Sequence, residues 1–165
     1  MLGNRSDRST GAGVVFTDGA YGNVESNKIR RCAGNGISLL GAGAVEVDDN
    51  NVARCDRNGI AVNDAAGVFK LRRNVTRLNE LDGISLVNAS GGTIRLNRGE
   101  DNDRDGIRAD RDSMLNLVES NTFLGNHRHD CHDESIGSGT GGTANTWSDN
   151  VGRKDMPDGI CAPPP

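Results

Sequence analysis

Apolar and polar residues alternate in short stretches that recur at a fixed interval along the chain. The stretches GNGISLLGA, RNGIAVNDA, LDGISLVNA and RDGIRADRD each contain a Gly-Ile pair, and successive pairs lie 23, 24 and 23 residues apart. A period in this range is the signature of a repeat architecture. The pairs are Gly36-Ile37, Gly59-Ile60, Gly83-Ile84 and Gly106-Ile107.

Asparagine marks the start of each repeat and extends the register over almost the whole chain. The spacing predicts a single domain over residues 1–165, with residues 137–165 as its last coil and tail. Because a coil begins so close to residue 1, we expect either a fragment of a longer protein with an upstream domain or end-to-end self-association through an open edge. The predicted coil starts are Asn4, Asn27, Asn50, Asn74, Asn97, Asn121 and Asn145.

Each repeat contains at least two short segments with period-two alternation, which is typical of strands with one buried face. Gly, Asn and Asp separate these segments, as expected of turns. The pattern predicts an all-β, single-stranded right-handed parallel β-helix of about seven coils of 23–24 residues. A leucine-rich repeat is the alternative, since VEVDDNNV fits part of its consensus. A leucine-rich repeat needs a helical or extended segment on its convex side, whereas this chain has a second strand and a glycine there.

The composition is close to that of a disordered chain, and stacking explains why a folded core is still expected. Leu, Ile, Val and Phe make up only 34 of the 165 residues. In a β-helix, identical side chains lie above one another, so thin apolar columns and asparagine ladders suffice. The net charge of −4 and the absence of a long apolar run favour neither a nucleic-acid partner nor a membrane span. The first ten residues also lack the apolar region of a signal peptide.

The C-terminal sequence resembles a known group of proteins. The run HDCHDESIGSGTGGTANTWSDNVG and the later PDGIC are similar to the terminal coils of secreted bacterial right-handed parallel β-helix repeat proteins, which include pectate-lyase-like and NosD-like chains. The similarity spans about 40 residues, and its matching elements are D-C-x-D, the Gly/Thr-rich run and the final G-I-C. The resemblance implies the fold and an extracellular or cell-surface setting, but no single reaction.

The four cysteines form two pairs in the predicted register. Cys131 and Cys161 bracket the last coil and tail, where a disulfide would close a segment that lacks apolar alternation. Cys32 and Cys55 occupy one column in adjacent coils, and we expect them to be buried free thiols. No spacing is C-x-x-C, so a structural zinc site is not expected.

Two columns of charged side chains are the candidate site. The sixth position after each asparagine is Asp56, Glu80, Asp103 and His127, and the eighth is Asn58, Asp82, Asp105 and His129. Carboxylates held at coil spacing raise a pKa or recruit a cation. Arg108 and His132 stack in position eleven, where one fits the role of substrate clamp and the other that of base.

We therefore expect a catalytic set and a metal set on one lateral face. The catalytic candidates are Asp82, Asp105, Arg108 and His132, and the metal candidates are Glu80, Asp103, His127 and His129. Calcium is the candidate ion because hard oxygen ligands dominate. The competing interpretation is a solvated face on which Arg57, Arg104 and Arg128 neutralise the acids.

Two functions follow from these expectations. The first is an extracellular module that binds or processes polysaccharide, acting as a polysaccharide lyase or glycoside hydrolase if it is an enzyme. The alternative is a non-catalytic structural or adhesive repeat domain. Only Tyr21 and Trp147 are large enough to stack on sugar rings if they are exposed.

Overall fold

The computed structural model describes residues 1–164 as a parallel β-solenoid of about seven coils. Each regular coil contributes three short strands, one to each of three parallel sheets, whereas the sequence indicated at least two. The regular structure of the described residues is almost entirely β, with one 3-10 turn at Thr140–Gly142. None of the described helices is long and apolar enough to span a membrane.

The three sheets run along the solenoid, and each strand pairs in parallel with its counterparts in the neighbouring coils. The first sheet contains β1 (Arg5–Asp7), β4 (Lys28–Arg30), β7 (Asn51–Ala53), β10 (Val75–Arg77), β13 (Arg98–Glu100) and β16 (Thr122–Leu124). The second contains β2 (Val14–Thr17), β5 (Ile37–Leu40), β8 (Ile60–Asn63), β11 (Ile84–Val87), β14 (Ile107–Ala109), β17 (Cys131–Asp133) and β19 (Asp155–Met156). The third contains β3 (Gly22–Glu25), β6 (Val45–Asp48), β9 (Lys70–Arg72), β12 (Thr93–Arg95), β15 (Leu117–Glu119) and β18 (Thr146–Ser148).

Stacked apolar columns fill the interior, as the alternation predicted. On the second sheet, Ile37, Ile60, Ile84 and Ile107 are fully buried, and each pairs in register with the next. Because equivalent side chains stack at strand spacing, a small number of aliphatic residues forms a continuous core. The third sheet contributes a similar column of Val24, Val47, Leu71, Ile94 and Val118.

Asparagines at the turn before the first sheet form a hydrogen-bonded ladder. Asn97 donates from its side-chain amide to Asn121 Oδ1 at 3.0 Å, and Asn121 donates to Asn150 Oδ1 at 2.9 Å. Each Oδ1 also accepts the backbone N–H of the previous rung, so repetition satisfies buried polar groups that would otherwise be costly. The complete ladder is Asn4, Asn27, Asn50, Asn74, Asn97, Asn121 and Asn150.

The last coil does not begin where the spacing predicted. Asn145 stacks on Asn116 at 3.0 Å, whereas the ladder continues from Asn121 to Asn150 over 29 residues. The spacing places Trp147, two residues after Asn145, in the column of Phe123 and Ile29, which follow Asn121 and Asn27 by the same two residues. In the structure Trp147 pairs with Val118 instead. The reason is the Gly/Thr-rich segment, whose 3-10 turn accommodates additional residues within this coil. Asn150 is therefore in the first ladder and not in the column five residues after it.

The cysteines differ between the regular coils and the end of the chain. The structure joins Cys131 and Cys161 in a disulfide with a Cα–Cα distance of 6.3 Å. Cys32 and Cys55 are free and buried. Burial raises the pKa of the Cys55 thiol to about 12, so it stays protonated at neutral pH.

Candidate functional site

Charged side chains gather on the outer face of the second sheet, where its later strands pair. Arg108 of β14 and His132 of β17 lie side by side in register. Each is flanked along its strand by buried residues, so the period of two directs both side chains to the outer face.

The Gly-Ile pair positions Asp105 just before β14. A Cβ added to Gly106 would lie 2.5 Å from the Asp130 carbonyl oxygen and 2.6 Å from the Asn126 side-chain amide nitrogen. Real Cβ atoms do not approach so closely, so only glycine lets adjacent coils meet at this turn. Asp105 is thereby held against the following coil, which explains why the repeat has glycine at this column.

Asp105 is the centre of a buried hydrogen-bonded cluster. Its Oδ1 accepts the backbone N–H of His129 and lies 3.0 Å from His129 Nδ1. Its Oδ2 lies 3.0 Å from His132 Nδ1. The two imidazole rings are in contact, with centroids 4.5 Å apart. Asp105 is fully buried, while the side chain of His129 is 25% exposed.

The electrostatics of the cluster keep Asp105 ionised. Burial on its own would raise the pKa of Asp105, but hydrogen bonds and charge interactions with His132 and His129 lower it overall. An ionised carboxylate accepts hydrogen bonds only, so Nδ1 of each ring, which faces Asp105, carries a proton. In the neutral form of each imidazole, Nε2 is the unprotonated nitrogen, which accepts a proton or binds a metal.

Arg108 and Glu134 complete the site. Two nitrogens of the Arg108 guanidinium contact the Glu134 carboxylate at 2.8 to 3.0 Å in a bidentate pair. Glu134 Oε1 also lies 3.7 Å from His132 Nε2. The sequence reasoning missed Glu134, although its position two residues after His132 is the next outward place in the alternation.

Asp82 lies behind this cluster and is closed off from solvent. Its Oδ1 accepts the backbone N–H of Asp105 at 3.1 Å, and Arg104 lies 3.9 Å away. Burial raises the pKa of Asp82, and the nearby Asp105 charge acts in the same direction. The four expected catalytic residues therefore lie in one connected group, in which Asp82 and Asp105 are buried and His132 is only 6% exposed.

The expected metal set is divided by the structure. Glu80, Asp103 and His127 are exposed, and within residues 1–164 their side chains form no hydrogen bond or ion pair. His129 instead turns toward Asp105. Side chains at a turn do not follow the period of two that a strand imposes. The residues at the sixth position after each asparagine and those at the eighth therefore point in different directions.

Asp105, His129 and His132 form the group that could hold an ion, because one ligand atom from each lies within 4.8 Å of the others. Two imidazole nitrogens and one carboxylate oxygen suit zinc or a similar ion better than calcium. The same distances arise from the two imidazole–carboxylate hydrogen bonds without any ion.

Small residues lead along the outer face of the second sheet toward Arg108. The outward positions in the preceding coils are occupied by the small residues Ser38, Ala61 and Ser85. Ala61 and Ser85 are only 1% and 4% exposed although they point away from the core. Neighbouring side chains therefore cover them, and they stand in register with the Arg108–His132 pair.

Comparisons with known proteins address the fold. Residues 12–161 match the family model described as right handed beta helix region. No curated protein matches the sequence. The solved structures that resemble the chain include the periplasmic alginate epimerase AlgG and a point mutant of it, both with a TM-score of 0.64 and 19% identity. Each alignment covers 76% of this chain but only 32% of the epimerase, so the chain spans about a third of that protein.

Proposed function

Because the chain belongs to the right-handed β-helix family, we propose that it is a polysaccharide-binding module that processes an acidic glycan on the outer face of its second sheet. A polysaccharide-related role is supported by the likeness to the alginate epimerase. The disulfide and the periplasmic neighbour are consistent with an extracellular or periplasmic location.

The observation that supports a reaction is the hydrogen bond between Asp105 and His132 beside Arg108. Asp105 holds the Nδ1 proton of His132 and leaves Nε2 to act as a base. Arg108 lies in the neighbouring strand and provides the planar, bidentate donors that recognise a carboxylate. A sugar carboxylate that displaces Glu134 from Arg108 would bring the carbon next to that carboxylate toward His132.

The reaction class that fits is removal of the proton on the carbon adjacent to a carboxylate. His132 Nε2 takes this proton, and the electron pair left on carbon is delocalised into the carboxylate, whose charge Arg108 offsets. In a lyase reaction the electron pair forms a C=C bond while the C–O bond on the next carbon breaks, and the departing glycosidic oxygen takes a proton from solvent water. In an epimerase reaction the carbanion takes a proton from solvent water on the opposite face, and His132 returns its proton to solvent.

Glycoside hydrolysis by paired carboxylates fits less well. That mechanism requires two carboxyl groups that both reach the sugar. Asp82 and Asp105 are buried, and Glu134 is the remaining carboxylate of the cluster, where Arg108 neutralises it. A lyase or an epimerase is therefore favoured over a hydrolase.

A non-catalytic role is the second candidate. The Arg108–Glu134 pair and the Asp105 hydrogen bonds already satisfy the charges of the cluster without a ligand. Trp147 is buried and cannot stack on a sugar ring, whereas Tyr21 is 82% exposed. These facts agree with a structural or adhesive repeat domain.

The test uses a panel of alginate, polygalacturonate and a neutral glucan, with and without calcium. Ultraviolet absorbance detects the unsaturated product of a lyase, and proton NMR detects inversion at the carbon that bears the carboxylate. We expect turnover of one polyuronate and a loss of about 100-fold or more for His132→Gln. The matched control is His127→Gln, which removes an exposed imidazole outside the cluster and should retain full activity.

The outcomes separate the two candidates. Binding of a polyuronate without turnover, weakened by Arg108→Gln, would support a binding module and contradict the catalytic part of the proposal. If affinity electrophoresis detects no binding to any glycan, the structural role is the better account.

A further inference from the structure

The outer face of the first sheet contains a column in which an alanine separates two arginines. Strand pairing places Asp7, Arg30, Ala53, Arg77 and Glu100 in successive register. The order is acid, arginine, alanine, arginine, acid. This face is built by a different sheet from the Asp105 cluster.

The acids at both ends of the column already have other partners. Asp7 pairs with Arg5 at 3.2 Å and with Arg31 at 3.0 Å. Glu100 accepts a hydrogen bond from Arg98 at 2.6 Å. Neither acid therefore neutralises the arginine stacked next to it.

Arg30 and Arg77 are left without an acidic partner among residues 1–164. Their Nε atoms are buried and have no hydrogen-bond partner. Buried N–H groups of this kind are costly when they are unpaired. The methyl group of Ala53 offers no acceptor, and it is too short to fill the space between them.

A third arginine closes the site. Arg54 follows Ala53 in a left-handed backbone conformation with φ of 57°, and its backbone N–H bonds to the Arg77 carbonyl oxygen at 3.2 Å. The three arginines line a pocket of about 100 Å³ together with Ala53 and Leu78. This volume is roughly that of three water molecules at about 30 Å³ each, which suits one small anion.

We propose that this pocket, the arginine pocket, binds an oxyanion: a carboxylate, sulfate or phosphate group. Three like charges around one small volume repel each other, and an anion between them removes that repulsion. Guanidinium groups donate paired hydrogen bonds to such anions, which would also satisfy the unpaired Nε atoms of Arg30 and Arg77. The inference rests on the first sheet alone and does not depend on the proposed reaction.

The anion has two sources, a free inorganic ion or an acidic group on a polymer. Isothermal titration calorimetry with sodium sulfate, sodium phosphate and a short oligouronate, at matched ionic strength, distinguishes them. We expect binding of at least one of these anions. Tighter binding of the oligomer than of either inorganic ion would assign the pocket to a polymer, and the reverse would assign it to a free ion.

Variants test the pocket itself. Arg30→Gln should weaken binding by about tenfold or more, and Arg30→Gln with Arg77→Gln should abolish it. The matched control is Arg128→Gln, which removes one exposed arginine elsewhere and should change affinity less than twofold. Equal binding by the wild type and the double variant, or no binding to the wild type, would overturn the inference.

Ala53→Glu provides a second test that does not remove a positive charge. It would place a carboxylate between Arg30 and Arg77, so it should abolish anion binding and raise the melting temperature. Unchanged anion binding by this variant would contradict the proposal even if the arginine variants fold poorly.

Discussion

The regular coils and the C-terminal coil satisfy their buried polar groups in different ways. In the regular coils, asparagine recurs at the turn before the first sheet, and each interior rung of that ladder donates to the next rung and accepts from the previous one. In the last coil, different residues occupy the columns. Asp130 ends a second asparagine ladder, which runs through Asn79, Asn102 and Asn126. In the sheets, Asp133 follows Ala109 and Trp147 follows Val118.

The difference shows what a stack requires where it ends. Asp130 Oδ1 accepts the backbone and side-chain N–H groups of Asn126, and its Oδ2 accepts the Arg153 backbone N–H at 2.8 Å. Asp130 is a terminal rung that only accepts hydrogen bonds, whereas the first ladder ends in Asn150, whose amide donates to the Val118 carbonyl oxygen at 2.8 Å. A carboxylate replaces the amide at the end of one ladder and not of the other.

The largest expected effect comes from disrupting a regular column. Ile84→Asp buries an unpaired carboxylate between Ile60 and Ile107, and it should lower the free energy of unfolding by about 4 kcal/mol or more. Chemical denaturation monitored by circular dichroism measures this loss. The control is Ile136→Asp in the C-terminal region, since Ile136 is 92% exposed and should tolerate the change. Equal stability of the two variants would contradict the column assignment.

The sequence predicted the fold well because each coil repeats the same residues at the same positions. The buried isoleucine column and the free, stacked Cys32 and Cys55 follow directly from that register. The predicted register is wrong at Asn145. The Gly/Thr-rich loop has no counterpart in the other coils, so its length cannot be derived from their repeat.

The candidate site was predicted in part for the same reason. Stacking placed Arg108 beside His132 and Asp82 next to Asp105. It did not predict that His129 would join Asp105 while Glu80 and Asp103 remain exposed, because turn residues have no fixed inward or outward period. Glu134 was missed because the repeat pattern was not extended past β17.

Removal of the disulfide measures how far the stability of the last coil depends on a covalent link rather than on stacking. The bond between Cys131 and Cys161 spans 30 residues, and its removal by the double change Cys131→Ala and Cys161→Ala should lower the free energy of unfolding by about 3 kcal/mol.

Thiol titration of the denatured, unreduced wild type should find two free thiols, those of Cys32 and Cys55. In the native protein at pH 8 these two should react slowly, because both are buried and the pKa of Cys55 is raised to about 12. Four reactive thiols after denaturation would show that packing alone holds the tail.

The smallest expected effect tests directly whether the last coil pairs its buried polar groups differently from the regular coils. Asp133 follows Leu86 and Ala109 in its column, so Asp133→Leu would restore the apolar pattern of the regular coils. Its carboxylate, however, accepts hydrogen bonds from Trp147 Nε1 at 2.8 Å and Asn145 Nδ2 at 2.9 Å, as well as from Ser135.

Leucine would leave these buried donors unpaired, and the gain in apolar contact would not offset that loss. We expect Asp133→Leu to lower the free energy of unfolding by about 2 kcal/mol. The control is Asp112→Leu, which changes an exposed aspartate and should have little effect. If Asp133→Leu instead stabilises the protein, apolar stacking governs the last coil as it governs the others, and the contrast between the two regions is wrong. A loss of stability that is confined to the C-terminal coil would support the contrast, because the regular coils satisfy their buried polar groups without Asp133.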